Sequence, residues 1–165
     1  MITLRNILVA TDFGEASGTA LTYGRELARR FHATLHLLHV VDDLSARVAT
    51  ATGLPYDVSA AQREIEAEAG RQLNGLMAGE NPHEIAFETA QITSTSPAEA
   101  IVLYAKDARV DLIVMGTRGR GGLTHFFLGS VAERVVRTAP CPVLTVHHPE
   151  QEFVRPDALQ AVTMA

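Results

Sequence analysis

The sequence predicts an α/β fold with one open, parallel sheet. Three observations support this fold class. Short β-rich apolar runs alternate with segments of helical periodicity, the order reads β-α-β-α-β-α-β-α-β, and a glycine-rich loop joins the fourth strand to the fourth helix. Strict alternation implies right-handed crossovers and parallel strands. We therefore expect a single doubly wound, Rossmann-like domain with five strands in the order 3-2-1-4-5 and helices on both faces.

The first half of the chain contains two strands and two helices. Residues 6–10 and 34–41 are β-rich runs, and a helix is predicted between them from the spacing of Ala20, Leu21, Gly24, Leu27, Ala28 and Phe31. Residues 44–59 show little periodicity and contain Gly53 and Pro55, so we expect a long loop there. A second helix follows, with its apolar positions at Ile65, Ala69, Leu73, Leu76 and Met77.

The second half continues the alternation. Residues 84–92 alternate polar and apolar side chains, which is typical of an edge strand exposed on one side. Ser96, Pro97 and Glu99 match an N-cap, a first-turn proline and a capping-box glutamate, so the third helix is predicted to start there. A continuous apolar strand at residues 110–115, a short helix at 131–138 and a last strand at 142–146 complete the fold.

Composition restricts the kind of protein. The 165 residues suit one domain, which we place at residues 1–147, followed by a tail at 148–165. The net charge of −5 and the dispersed basic residues disfavour nucleic-acid binding. No apolar run reaches the roughly 18 residues that span a membrane, and the N-terminal residues lack a signal-peptide pattern, so we expect a cytoplasmic protein. Cys141 is the single cysteine, which excludes an internal disulfide and fits a structural role.

The loop between the fourth strand and the fourth helix is the strongest functional signal. The loop is rich in backbone N–H donors and contains Gly116, Gly119 and the pair Gly129-Ser130. Arg118 and Arg120 add positive charge. A helix N-terminus at the carboxyl end of a parallel strand offers unpaired N–H groups to an anion. The pattern therefore indicates a phosphate-binding loop, and the alternative is an ordinary glycine-rich turn.

Other candidate residues are weaker. Asp12 follows the first strand at the same predicted edge of the sheet, where it either contacts a ligand or caps the next helix. His32, His36 and His39 would share a helix face, but the run reads as a strand, on which only His32 and His36 share a face, so we expect structural roles. No Walker motif, no G-x-G-x-x-G and no catalytic triad is present.

These residues resemble a known family. Residues 5–147 are similar to a universal stress protein domain, through Ile7-Leu-Val-Ala-Thr-Asp-Phe13 on the first strand and Leu38-His-Val-Val41 at the end of the second. ATP-binding members of that family carry G-x2-G-x9-G-[ST]. Here Gly116, Gly119 and Gly129-Ser130 match this motif without a gap. The resemblance therefore implies the ATP-binding branch.

Carried over by position, the resemblance implies an ATP site. Adenine is expected near Val40 and the pair Ala10-Thr11, and Asp12 is expected near the ribose or phosphates with a divalent Mg or Mn ion. The other implied pocket residues are Met115, Gly116, Arg118, Gly119, Gly129, Ser130, Val131 and Ala132. Two positions depart from the family pattern: Gly14 replaces a helix-capping serine, and Thr95-Ser96 replaces a glycine before Pro97.

The resemblance also implies a function. Family members commonly dimerise through the last strand, so Val143–Val146 is the expected homodimer interface. We expect an ATP-binding stress-response or signalling protein, whose nucleotide shifts a dimer or partner-binding state. A slow ATPase or autophosphorylating enzyme is an alternative, although the chain offers no evident general base or Walker lysine. A ligand-free interaction module is the other alternative, against which the intact glycine spacing argues.

Overall fold

The computed structural model describes residues 2–53, 57–81, 84–117 and 128–148, and the rest of the expected tail therefore lies outside the described residues. Its elements, in chain order, are β1 (Asn6–Thr11), α1 (Glu15–Phe31), β2 (Thr34–Val41), α2 (Leu44–Thr52), α3 (Ser59–Met77), β3 (Phe87–Thr93), α4 (Pro97–Asp107), β4 (Leu112–Gly116), α5 (Ser130–Thr138) and β5 (Val143–Val146). The strands form a parallel sheet in the order β3-β2-β1-β4-β5. This confirms the predicted fold class and strand order, with β3 at one edge.

Helices cover both faces of the sheet. α1 and α3 pack on one face, while α4 and α5 pack together on the other. Along β1 the side chains alternate between the two: Ile7 and Val9 join the cluster beneath α1, whereas Leu8 joins the cluster beneath α4 and α5. All three are fully buried. Burial on both faces explains why the central strands read as continuous apolar runs rather than as alternating patterns.

The close packing of α1 on the sheet depends on a glycine. A Cβ at Gly24 would lie 2.4 Å from Cγ2 of Val9 in β1, far inside the normal contact distance. The helix axis therefore lies nearer the sheet than a larger residue would allow. This brings the first turn of α1 close to the ends of β1 and β4, which is where the candidate site is located.

Three expectations about local structure are wrong. Residues 44–59 were expected to form a long loop, but 44–52 form α2, so two helices connect β2 to β3. Asp43 caps α2 by accepting a 3.0 Å hydrogen bond from the N–H of Ala46, and Gly53 ends it in the left-handed conformation. No residue of α2 is buried, which is why its sequence lacks the apolar periodicity of a core helix.

The predicted capping box of α4 is also absent, although the helix starts at Pro97 as expected. The side chain of Ser96 accepts no capping hydrogen bond. Instead, the N–H of Ser96 donates to Oγ of Ser94 at 3.0 Å. His32 is not on β2 either, because it ends α1 in the left-handed conformation, so it does not share a strand face with His36.

Candidate functional site

The candidate site lies where the strand order of the sheet reverses, between β1 and β4. β1 and β4 are neighbours, and the helices that follow them, α1 and α5, pack on opposite faces. The two connections therefore separate at the carboxyl edge and leave a crevice between them. Open parallel sheets bind ligands at this kind of position.

A chain of hydrogen bonds fixes the turn after β1. The N–H of Phe13 donates to Oγ1 of Thr11 at 3.0 Å, and this hydroxyl lies 3.1 Å from Oγ of Ser17. Ser17 in turn donates to the carbonyl oxygen of Gly14 at 2.9 Å. Because the hydroxyl proton of Ser17 is used in that bond, Thr11 is the donor between the two hydroxyls. The hydroxyl of Thr11 thus donates one hydrogen bond and accepts one within the turn.

Asp12 closes the same turn. Its Oδ1 accepts a 3.0 Å hydrogen bond from the N–H of Gly14, the residue that precedes α1. This bond is typical of an Asx-turn. The bond goes to the N–H of the N-cap residue Gly14 and not to a first-turn N–H of α1, so it shapes the turn and does not cap the helix. A carboxylate has about four lone-pair sites, so contact with a ligand is chemically compatible with this bond.

Phe13 has an unusual backbone conformation. Its φ of 62° lies in the left-handed region, which is strained for a bulky side chain. The ring is held 4.3 Å from the ring of His39, and Nδ1 of His39 lies 2.8 Å from the carbonyl oxygen of Thr11. These contacts hold the chain in a sharp turn at the end of β1. Strained residues of this kind cluster at functional sites.

Gly116 has a packing role that the sequence did not indicate. A Cβ at this position would lie 2.8 Å from both the carbonyl carbon and the Cβ of Ala16 in α1. The first glycine of the loop motif therefore allows the first turn of α1 to contact the end of β4. Its expected place in the ligand pocket stays a prediction, because this close contact concerns only the side of the residue on which a Cβ would lie.

The two ends of the glycine-rich loop are joined by Thr117. Its carbonyl oxygen accepts a 2.7 Å hydrogen bond from the N–H of Gly129, the residue preceding α5. Its own N–H donates to the carbonyl oxygen of Val146, and its hydroxyl lies 2.9 Å from Nδ1 of His147. The start of α5 is thereby held against the end of β4.

The first turn of α5 has no side-chain cap. Gly129 occupies the N-cap position and contributes no side-chain hydrogen bond. Ser130 is exposed, Val131 is half-buried and Ala132 is buried. The N–H groups at the start of a helix have no partner within the helix, and they carry the positive end of its dipole. This turn, beside the crevice, is suited to bind an anion.

The predicted residues divide between the two faces of the sheet. Thr11 and Gly116 contact α1, whereas a second group lies together on the face covered by α4 and α5. That second group consists of Ala10, Val40, Met115, Val131 and Ala132. It forms an apolar surface under the start of α5. Arg118 and Gly119 lie outside the described residues.

The described residues do not by themselves form a metal site. Within residues 2–53, 57–81, 84–117 and 128–148, no three His, Cys, Asp or Glu side chains are grouped as metal ligands. A cation beside Asp12 would therefore take its other ligands from a bound molecule and from water. The described segments also contain no helix with the length and apolar character needed to cross a bilayer.

Two residues of this edge were not predicted from the sequence. Ser17 and Thr117 form hydrogen bonds at the ends of β1 and β4. The spacing of Thr11 and Ser17 carried a signal, because a hydroxyl at the third helical position faces back toward the preceding strand. Thr117 gave none, because its partner His147 is separated from it by 30 residues.

A second polar cluster lies away from this edge. Nδ1 of the buried His36 lies 3.0 Å from the hydroxyl of Tyr104 and 3.6 Å from Oε2 of Glu88. Burial lowers the pKa of His36, and the nearby Glu88 carboxylate opposes this shift in part. Burial also raises the pKa of Tyr104. Both residues have structural partners, as expected for His36.

A cavity of about 270 Å³ lies between β3 and α4 rather than at the crevice. Its lining includes Ile92, Glu99, Leu103 and Asp107. Residues 118–127, which connect β4 to α5 beside the crevice in sequence, are not described. We therefore assign the candidate site from the geometry of the strand ends, not from this cavity.

Comparison with known proteins gives a consistent result. The profile of the universal stress protein family matches residues 3–147. The chain is 36% identical to universal stress protein YxiE of Bacillus subtilis, over 85% of this chain and 97% of the relative. It is 35% identical to universal stress protein MJ0531 of Methanocaldococcus jannaschii, over 90% of this chain and 85% of the relative.

Solved structures share the fold. The structure of MJ0577 from Methanocaldococcus jannaschii has a TM-score of 0.74 and 25% identity, covering 91% of this chain and 100% of that one. A universal stress protein in complex with cAMP has a TM-score of 0.57 over 88% of this chain and 98% of that one. One from Archaeoglobus fulgidus in complex with dAMP has a TM-score of 0.61 over 88% and 99%. The last two are each 22% identical and show the fold alone. On its sequence relatives and its matched family profile, this chain belongs to the universal stress protein family.

Proposed function

We infer that the protein binds ATP in the crevice between β1 and β4 and acts as a nucleotide-dependent stress-response or signalling factor. The phosphates are assigned to the first turn of α5, and the adenine to the apolar surface formed by Ala10, Val40 and Met115. Arg118 and Gly119 are assigned to the phosphate side through the motif spacing alone. The observation that carries this proposal is the first turn of α5, which has no side-chain cap.

The geometry supports an anionic ligand in two ways. Gly14 and Gly129, the residues that precede α1 and α5, both lack a side-chain capping hydrogen bond. Both helices begin at the carboxyl edge of neighbouring strands, so the positive ends of their dipoles lie at the same crevice. A polyphosphate would accept hydrogen bonds from these N–H groups, which otherwise need water or a ligand.

Family membership supports the choice of nucleotide. The spacing of Gly116, Gly119, Gly129 and Ser130 matches the motif of ATP-binding universal stress proteins. Other proteins of this fold form complexes with cAMP and dAMP, so the fold itself accommodates an adenine nucleotide. A nucleotide with a polyphosphate group offers the most oxygen acceptors to the N–H groups at the start of α5.

Asp12 is the proposed contact to a divalent ion. Its carboxylate borders the crevice, where Oδ1 accepts the N–H of Gly14. Mg²⁺ is commonly bound by one or two carboxylates together with substrate phosphates, and it keeps several waters. One carboxylate and the phosphates of ATP would supply such a set. The ion would neutralise phosphate charge beside this acidic side chain.

We expect slow or no ATP turnover. Efficient phosphoryl transfer needs groups that neutralise the developing charge and orient the attacking nucleophile. The single lysine of the chain, Lys106, lies exposed near the end of α4 rather than at the crevice. The bound nucleotide therefore acts by favouring one protein state over another, not by its hydrolysis.

The proposed second state is a homodimer formed through β5. Val143–Val146 is an edge strand, paired only with β4 in the described sheet. Leu144 on this strand is partly exposed. An exposed edge with apolar side chains is a suitable surface for a second copy of the chain. Because Val146 bonds to Thr117, the strand is directly connected to the base of the glycine-rich loop.

The nucleotide released from purified protein tests this function. The protein would be denatured, and the supernatant separated by chromatography and identified by mass. We expect adenine nucleotide at a substantial fraction of the protein concentration, and negligible conversion of added ATP to ADP. Rapid ADP formation abolished by Asp12→Ala would contradict the binding role in favour of an ATPase. The absence of nucleotide, together with no thermal shift on adding ATP and Mg²⁺, would contradict nucleotide binding altogether.

A further inference from the structure

Thr117 connects three elements at the carboxyl edge. Its N–H donates to the carbonyl oxygen of Val146 at 2.9 Å, which extends the pairing of β4 with β5 by one residue. Its carbonyl oxygen accepts the N–H of Gly129 at 2.7 Å. Its hydroxyl forms the third connection, 2.9 Å from Nδ1 of His147. One buried threonine thus joins the end of β4, the end of β5 and the start of α5.

The hydroxyl of Thr117 needs a partner. The residue is only 1% exposed, and an unsatisfied buried hydroxyl is costly. His147 supplies this partner from outside the core, since its own side chain is exposed. Little of the apolar core therefore depends on His147. Its contact is with one hydroxyl, and that hydroxyl belongs to the residue that holds the N-cap of α5.

We propose that His147 is a positioning residue of the nucleotide site, which orients Thr117 and thereby the start of α5 toward the phosphates. The inference rests on the proposed function and deepens it. Without the hydrogen bond to His147, the backbone at Thr117 would be less firmly held. Its carbonyl oxygen, which accepts the N–H of Gly129, would then shift. The first-turn N–H groups of α5 would move with it, and hydrogen bonds to a phosphate weaken steeply with misalignment.

The residue after His147 contacts a different element. His147 and His148 are the last described residues, and His148 contacts α1 through Oγ1 of Thr19 at 3.0 Å. His147 therefore contacts the residue that follows β4, and His148 contacts α1. Only the His147 contact reaches the base of the glycine-rich loop. This difference makes His148 a matched control, since it has the same side chain at the adjacent position.

A double-mutant cycle on the full chain tests the proposal. The dissociation constant of ATP with Mg²⁺ would be measured by calorimetry for wild type, His147→Ala, Thr117→Val and the double variant. We expect each single variant to bind about tenfold more weakly, which corresponds to about 1.4 kcal/mol. The double variant should be no weaker than either single one, because both remove the same interaction.

A rescue variant separates positioning from a merely structural role. The side-chain amide of His147→Asn can place a polar atom where Nδ1 of His147 lies, so its affinity should return to within about threefold of wild type. His148→Ala should weaken ATP binding less than His147→Ala, because its contacts are with the α1 side chains Glu15 and Thr19 and not with the residue that holds the N-cap of α5. Melting temperatures are recorded in parallel. The proposal requires affinity to change while the melting temperature of His147→Ala remains close to that of wild type.

The outcomes are distinguishable. Unchanged affinity in His147→Ala, additive losses in the double variant, or no rescue by His147→Asn would each overturn the positioning role while leaving nucleotide binding intact. A wild-type protein that binds no ATP would overturn the proposed function and this inference together. That result is recognised from the wild-type titration alone.

Discussion

Gly116 and Ala16 lie so close that a Cβ on Gly116 would be 2.8 Å from the Cβ of Ala16. The same position would be 2.8 Å from the carbonyl carbon of Ala16, which cannot rotate away. The end of β4 and the first turn of α1 are therefore in direct backbone contact. The glycine is required for packing, whatever ligand binds nearby.

Gly116→Ala should destabilise the protein. The added methyl group must displace the first turn of α1, and overpacking of this kind costs about 1–3 kcal/mol. Urea denaturation followed by circular dichroism measures the loss. Gly18→Ala, in the helix α1 against which Gly116 packs, is the matched control, because nothing lies within 4 Å of a Cβ there. It should raise stability by about 0.5–1 kcal/mol. Equal stabilities for the two variants would refute the packing role of Gly116.

The fold was predictable because its signals are local. The central strands of the sheet are apolar runs, β3 alternates polar and apolar residues, and helices such as α1 repeat their apolar positions with helical spacing. α2 was missed because none of its residues is buried, so it leaves no periodic pattern. The site was predicted less completely. Gly116 was recognised as important, but contact with Ala16, 100 residues away in sequence, cannot be derived from a motif.

Asp12 should have two separable roles. In Asp12→Asn the side-chain oxygen can still accept the N–H of Gly14, so stability should remain close to that of wild type. Loss of the negative charge should remove most of the Mg²⁺ dependence of ATP affinity. Asp12→Ala loses the turn as well, at a cost of about 1 kcal/mol. Calorimetric titrations with and without Mg²⁺ measure the first effect, and thermal melts measure the second. An unchanged Mg²⁺ dependence in both variants would remove Asp12 from the ion site.

Gly129→Asp should increase the stability of α5 and block nucleotide binding. A carboxylate at this N-cap would accept the first-turn N–H groups, for a gain of about 0.3 kcal/mol relative to glycine. It would also occupy the phosphate position and repel the phosphate charge. We expect at least a tenfold loss of ATP affinity by calorimetry, with no loss of thermal stability. Gly129→Ala cannot accept a hydrogen bond and should weaken binding less. Equal affinities for Asp and Ala variants would contradict phosphate binding at this turn.

His36 should make stability depend on pH. Burial lowers its pKa in the folded state below the ordinary value of 6.5. Above about pH 6.5 the imidazole is neutral in both states and its full contribution is present. Below that value the unfolded chain takes up the proton first, so the free energy of unfolding decreases as pH falls through the lowered folded pKa.

Denaturation curves between pH 5 and pH 8 measure this effect. The groups facing His36 are Asn6 on β1, Glu88 on β3 and Tyr104 on α4, and among them Glu88 opposes the shift. His36→Gln should flatten the acidic limb of the profile. A wild-type profile that is flat from pH 5 to pH 8 would contradict the assignment.

The location of the ATP site is the central claim, and amide chemical shifts measured by NMR test it most directly. The ¹⁵N-labelled protein would be titrated with ATP and Mg²⁺. We expect the largest shifts at the amides of Gly14 and Ala16 after β1 and of Ser130, Val131 and Ala132 in α5. Shifts concentrated at Thr93, Ser94 and Leu103 along the cavity between β3 and α4, or no shifts at millimolar ATP, would contradict it.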